Sequence, residues 1–441
     1  MTPADDSASS SRWAAFQNRA FLLYWLSRLA SGFAVQIQTV AVGWQVYDLT
    51  RNPLDLGFVG LSQFLPALLL VLVTGAVADR YRRRTIMAIC LVIEALCAIA
   101  LLAFTLSGTG PVWMLFVILA AFGTARAFYN PAQQSLLPNL VPTEILGNAI
   151  ALNSGGWQIA TICGPVLGGL LYDVAPELAY GTALALLLIS AVLILLVPRR
   201  ARRIVPQQAN WETIVAGFRY IWGEKIVLGA ISLDLFAVLL GGASALLPVY
   251  ARDILHVDAS GLGLLRAGQA VGAIMVAFYL ATHRIRDHAG LWMFLFVGVF
   301  GLFTVIFGMS TLLWLSVLAL MVMGAADMVS VYVRETLIQL WTPDAVRGRV
   351  NAVNMVFIGA SNELGEFRAG VSAALIGTVP AVVFGGLGTI GVAVLWCWLF
   401  PDLRRARHLD KGVGAGPSPM ERRWLRSSRM RGCGAKGSGK S

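Results

Sequence analysis

Charge is scarce in this chain. Only 13% of its 441 residues are Asp, Glu, Lys or Arg, against 57% that are hydrophobic. With a mean hydropathy of +0.72, it lacks the polar surface that a soluble domain of this length requires, so a soluble fold is excluded. Cysteine is also sparse. Cys90, Cys97, Cys163 and Cys397 lie inside apolar runs, Cys433 lies in the basic tail, and none forms a CxxC pair or stands beside histidine. That spacing offers neither a disulfide framework nor a metal site. His256, His283, His288 and His408 fall in expected loops or the tail, and no HExxH, nucleophile elbow or haem ligand pair occurs. No enzyme activity and no cofactor are therefore expected. The run Gly434 to Ser441 fits the phosphate-loop formula, but no strand leads into it, and it is read as a compositional accident. Met1 to Trp13 carries Asp5 and Asp6 without a basic segment and short apolar core, so no cleaved signal peptide is expected.

What the chain has in abundance is apolar length. Runs of about 20 residues, enough for a helix to cross a bilayer core of roughly 30 Å, recur about twelve times between Phe21 and Phe400. The fold class is all-α, a polytopic membrane protein. Helices are predicted near 21–47, 55–78, 85–106, 111–130, 147–172 and 178–198, then near 226–251, 261–282, 290–309, 311–332, 351–377 and 380–400. Glycine and proline at Gly108 to Pro111, Pro176 and Thr378 to Pro380, together with Met309 to Thr311, mark tight turns. Those turns are nearly free of arginine. The opposite set of loops holds Arg80, Arg82, Arg83 and Arg84, then Arg199, Arg200, Arg202 and Arg203, then Arg284 and Arg286, Arg347 and Arg349, and Arg404, Arg405 and Arg407. By the positive-inside rule that set is cytoplasmic, with both termini on the same side of an inner (plasma) membrane. The net charge of +11 thus reads as orientation and lipid-headgroup contact, and no nucleic-acid partner is expected.

The expected organisation is a cytoplasmic segment 1–20, a six-helix bundle 21–198, a linker 199–225, a second six-helix bundle 226–400 and a disordered basic tail 401–441. In the linker, Trp211, Ile214, Val215, Phe218, Ile221 and Trp222 fall at helical spacing in a stretch too polar to span, which suits an interfacial helix. The bundles read as a duplication. Gly123 and Gly324, Pro142 and Pro343, Gly147 and Gly348, and Asn153 and Asn354 are each separated by 201 positions. Two six-helix bundles about a pseudo-two-fold axis suit a transporter with a site at the bilayer midplane.

Four stretches carry a family resemblance. Gly75-Ala-Val-Ala-Asp79-Arg80-Tyr81-Arg82-Arg83-Arg84 resembles the signature between helices two and three of the major facilitator superfamily, with Arg82 where a glycine is usual. The resemblance implies a gate: Gly75 for close helix approach, Asp79 for a charge contact across the seam between halves, and Arg80, Arg83 and Arg84 to hold the loop inside. Gly155, followed after eight residues by Gly164-Pro165-Val166-Leu167-Gly168-Gly169, is similar to the antiporter signature of the exporter branch. It implies a hinge or seal on the fifth helix, with pure helix packing as the plainer alternative. The stretch Gly359 to Gly370, with Asn362, Glu363, Glu366 and Arg368, resembles the eleventh helix of the subgroup that includes enterobactin exporters and macrolide pumps. So does Met323 to Val331, with Asp327.

Ionisable groups inside membrane helices are expensive and need a partner, a wet cavity or a role. Glu363 and Glu366 share a helical face. They are candidates for proton coupling together with Asp327, a static ion pair with Arg368 being the alternative. Glu94 and Asp234 suit structural pairing or substrate contact. Arg126 occupies the position equivalent to Asp327 under the 201 offset, and the two are expected to face each other as part of a charge network. Arg28 either holds an anionic substrate or snorkels to the headgroups. Gln36 and Gln38 cannot share a face, so only one of them lines a cavity. The resemblance implies a monomeric exporter of an organic small molecule, such as a siderophore, macrolide or other drug-like compound, in exchange for protons. An importer or uniporter of the same fold, or a non-transporting membrane sensor, remains the alternative.

Overall fold

The computed structural model describes residues 14–108, 110–198, 218–283 and 288–405, which contain helices and no strand. The first half comprises α1 (Arg19–Thr50), α2 (Pro53–Arg80), α3 (Arg83–Ser107), α4 (Trp113–Leu136), α5 (Leu146–Val174) and α6 (Pro176–Leu196). The second comprises α7 (Lys225–Gly241), α8 (Ala259–Thr282), α9 (Ala289–Met309), α10 (Leu313–Trp341), α11 (Asp344–Ile376) and α12 (Thr378–Leu399). Among the described residues, ten segments are long and apolar enough to cross a membrane. α5 and α11 fall outside that set because polar residues, glycine and proline dilute the apolar run of the one, Asn153, Gln158, Pro165 and Asp173 among them, and Asn362, Glu363, Glu366 and Arg368 interrupt the other. Large side chains such as Leu96, Leu196, Leu295 and Trp398 are exposed on the outside of the bundle, which is what a lipid-facing surface requires.

Local chemistry sets the helix ends. Asn18 and Asn52 accept the N–H groups of Ala20 and Leu54 and so cap α1 and α2. Gly108 (φ 63°) closes α3 in the left-handed region where an L side chain is strained, and Gly377 (φ 91°) turns the chain between α11 and α12. Pro176 opens α6 at the position where its missing N–H is not needed. Helices α4 and α10 continue past the predicted ends, to Leu136 and Trp341, and α11 begins early, at Asp344. The periodic apolar pattern stops before the helical hydrogen-bond ladder does.

The largest departure from the predicted spans is α7. It stops at Gly241, and the chain resumes through short helical turns at Ser244–Leu246 and Leu247–Val249 and a π turn at Tyr250–Ile254. The glycine pair Gly241-Gly242 weakens the ladder. The carbonyls freed there are taken by Arg368 of α11, whose Nε donates to Leu239 O at 2.8 Å and Nη2 to Leu240 O at 2.6 Å. Arg368 is thus a cation at a helix C-terminus and not the neutralising partner of Glu363 or Glu366 that the sequence suggests.

The repeat is visible in packing. A Cβ on Gly123 of α4 would overlap the Gln63 carbonyl of α2, and one on Gly324 of α10 would overlap the Gln269 carbonyl of α8, the equivalent helix pair. Backbone cannot yield as a flexible side chain can. Gly324→Ala is therefore expected to lower stability by about 1–3 kcal/mol, read as a lower melting temperature in detergent. Gly181→Ala, with nothing within 4 Å of the added carbon, should leave it unchanged or slightly raised.

Of the linker helix expected from the sequence, residues 218–223 are described and helical, with Tyr220 Oη donating to Trp341 O at 2.8 Å and Phe218 against Phe357. Arg199, Arg200, Arg202 and Arg203, Arg284 and Arg286, the segment 1–13 and the tail from 406 onward lie outside the described residues.

Candidate functional site

Glu363 and Glu366 lie on α11 where it crosses α2, and glycine makes the approach possible. Both Oε2 atoms come within 3.2 Å of the position that a Cβ on Gly60 would occupy, at 3.1 and 3.2 Å. The two carboxylates thus point at one spot on the opposing half. They border a cavity of about 220 Å³ whose wall includes Gln38 of α1, Gly60 and Gln63 of α2, Phe122 of α4, Pro248, and Arg266 of α8. Neither carboxylate forms an ion pair within 4.0 Å among the described residues. Gln38 supplies the glutamine of α1 that lines this space, and its buried Oε1 has no hydrogen-bond partner among the described residues. Gln36 instead packs its Cβ against Gly164.

Arg266 is the site residue that the sequence reading passed over. Its guanidinium reaches the cavity, its Nε is buried without a hydrogen bond among the described residues, and the nearby opposite charge is Glu366. The signal was present in the sequence. An arginine inside the run Leu262 to Ala270 is as conspicuous by the cost of intramembrane charge as Glu94.

The remaining candidates separate into pairs within each half. Arg126 stands 3.7 Å from Glu94, which is fully buried, and lies over the Tyr129 ring at 5.0 Å. It does not face Asp327. Asp234 is ion-paired with Arg334, which is 2% exposed, and Asp327 lies beside that pair in a narrow gap with Ser330 and Phe300. Asp327 therefore belongs to the interior of the second half and is not among the residues bordering the inter-half cavity. The two halves bury separate pairs because α3–α4 and α7–α10 contacts form within a bundle, a fact that a register offset cannot reveal. Arg28 donates from Nε to Asn153 Oδ1 at 2.9 Å and lies over Trp157 at 5.3 Å. Its charged head is held inside the first half.

The glycines of α5 divide by face. Gly164 meets Gln36, Gly168 meets Ile37, and Gly169 meets the Ala259 backbone of α8, while the Pro165 carbonyl meets Gly263. Helix α5 is continuous through Pro165. Gly155 has nothing within 4 Å, and Gly156 is the glycine packed there, against Trp25. At the end of the bundle away from the arginine-rich loops the halves are clasped. Tyr47 donates to Asp253, Arg252 pairs with Asp48, and Arg51 lies 3.4 Å from both Asp48 and Asp253. Asp173 of α5 accepts the Ala259 and Ser260 N–H groups, each at 2.9 Å, so one half caps a helix of the other. Asp173→Ala should raise hydrogen exchange at the start of α8 by about tenfold, the equivalent of a lost cap.

At the arginine-rich end, α2 closes at Arg80 and α3 opens at Arg83, leaving Tyr81 and Arg82 as the turn. Arg82 has φ −69°, a backbone any residue adopts, which is why arginine fits where the superfamily pattern has glycine. Arg83 donates to Ser135 O at 2.6 Å, and Arg84 to Val197 O and Leu195 O at 2.6 and 2.5 Å. These cations stabilise the C-terminal ends of α4 and α6. Gly75 lies in the last turns of α2, Arg80 is exposed, and the side chain of Asp79 lies outside the described residues. A larger cavity, about 1580 Å³, opens here beside Arg80, Arg82, Ile89 and Phe128. It contains none of the α11 carboxylates and belongs to the first half alone.

A family profile described as transmembrane secretion effector matches residues 10–410. The enterobactin exporter EntS of Citrobacter koseri is 28% identical over 406 residues, covering 88% of this chain and 93% of that protein. EntS of Shigella boydii is 26% identical over 409 residues, covering 90% and 96%. Among solved structures, the nucleoside transporter NupG is similar with a TM-score of 0.64 at 16% identity, covering 88% of this chain and 99% of that one. A bacterial homologue of the iron transporter ferroportin, in an inward-facing state, gives 0.65 at 16% identity, covering 88% and 99%. Twelve helices in two related halves, a cavity between them and a profile match over nearly the whole sequence lead to one assignment: the chain belongs to the transmembrane secretion effector family of major facilitator superfamily transporters.

Proposed function

We propose that this multi-pass transporter exports a siderophore-like organic molecule across the inner membrane in exchange for protons, working as a monomer with its arginine-rich end and both termini in the cytoplasm. The observation that carries the reading is the pair Glu363 and Glu366, facing the first half across a cavity and in no ion pair among the described residues. Carboxylates that border space between two rocking bundles can meet each aqueous side in turn, which is the requirement for loading and releasing a proton. A cavity of about 220 Å³ falls below the roughly 300–1,000 Å³ typical of organic-ligand sites. Cargo therefore needs the halves to part, and the clasp of Asp48, Arg252, Asp253 and Asp173 is the contact that opening to the outside must break.

The substrate class follows the enterobactin exporters among the relatives. Asp327, Asp234 and Glu94, together with Arg126, Arg28 and Arg368, serve in this reading as the internal charge network that keeps each bundle rigid while it tilts. The test is uptake of enterobactin by everted membrane vesicles. Respiration should drive uptake and a protonophore should abolish it. Uptake that persists without a proton gradient would refute proton antiport, and the absence of any uptake would refute this cargo.

A further inference from the structure

We propose that the two carboxylates of α11 have different tasks: Arg266 keeps Glu366 as a fixed anion, and Glu363 alone takes the exchangeable proton. The inference rests on the proposed proton coupling and assigns the charge states within it. Arg266 is the charged side chain that faces the pair from the other helices bordering the cavity. Gln38, Gln63 and Phe122, from α1, α2 and α4, and Pro248 after the break in α7 carry no charge.

Position separates the two acids. Helix α8 enters from the clasped end at Ala259 and reaches Arg266 two turns later, whereas α11 runs toward that end and stops at Ile376. The backbone of Glu366 is thus nearer than that of Glu363 to the level of Arg266 by about 4.5 Å along the helix, three residues at a 1.5 Å rise. The guanidinium interacts electrostatically with Glu366, while Glu363 faces the charge of Glu366. With both acids ionised the cavity holds two negative charges against one positive. A single proton makes it neutral, and a second would leave the buried Arg266 without a counter-charge. One proton per cycle is the number that this arrangement balances.

Infrared difference spectroscopy on the purified full chain tests the assignment without any cargo, by following the carbonyl stretch of protonated carboxyl groups as the pH is varied. Glu363→Gln should remove one carboxyl group's worth of the band, because Glu366 stays ionised beside Arg266. Arg266→Gln should add a second group's worth, and Arg266→Lys should restore the wild-type intensity. If Glu363→Gln leaves the band intact, Glu366 carries the proton and the proposal is overturned. It is equally overturned if Arg266→Gln folds and adds nothing. Should Arg266→Gln fail to fold, the Glu363→Gln spectrum decides alone. An unchanged band combined with protonophore-sensitive vesicle uptake would reject this division of labour and leave proton exchange standing.

Discussion

Replacement of Arg334 by methionine is expected to destabilise the second bundle by about 3–5 kcal/mol, the usual consequence of leaving one member of a buried ion pair without the other. Arg334 is 2% exposed and pairs with Asp234, which is also buried, and Asp327 stands beside them in the same narrow gap. Removing the guanidinium would leave two acids crowded together, and the more exposed Glu335, itself 3.8 Å from Arg334, adds a third negative charge and no counter-charge. The double variant Asp234→Leu/Arg334→Met takes away both members and replaces them with apolar groups of similar bulk. It should recover most of the loss. Thermal melts followed by tryptophan fluorescence in detergent would read both effects. A single variant as stable as wild type would show that the pair contributes nothing to the fold.

The second large effect concerns function. The double variant Glu363→Gln/Glu366→Gln keeps the shape of the side chains that border the cavity and abolishes their capacity to exchange a proton. Respiration-driven uptake of enterobactin into everted vesicles should fall by at least tenfold when compared at equal amounts of folded protein, while the melting temperature drops because Glu366→Gln leaves the buried Arg266 without its counter-charge. That comparison separates loss of coupling from loss of fold. Retained active uptake would remove these residues from the transport cycle.

Most of the architecture was legible because membrane solvation leaves a strong imprint on sequence. The apolar runs, the asymmetry of arginine between loops, and turns such as Gly108 and Gly377 place most helix ends within a few residues of where they lie, the far ends of α4, α7 and α10 and the start of α11 departing by six to ten. The break in α7 was harder to read. Gly241-Gly242 is a mild signal by itself, and its meaning comes from Arg368, 126 positions later than Gly242, which takes the carbonyls just before the break. The partners of the charged residues were hidden for the same reason. The 201 offset set Arg126 opposite Asp327, but the fold pairs Arg126 with Glu94 and Asp234 with Arg334, since each contact is made inside one bundle. On α5 a motif spacing pointed to Gly155, whereas the helical face that meets Trp25 carries Gly156. Periodicity fixes which residues share a face, and only packing decides which face is covered.

In the proposed cycle, protons cross in the direction opposite to cargo by way of the α11 acids. Proteoliposomes with a pH-sensitive dye in the lumen and an imposed enterobactin gradient measure this most directly. Wild-type protein should move protons against the cargo flow, and Glu363→Gln/Glu366→Gln should move none. Cargo that equilibrates with no change in luminal pH, or protons that travel with it, would contradict the account.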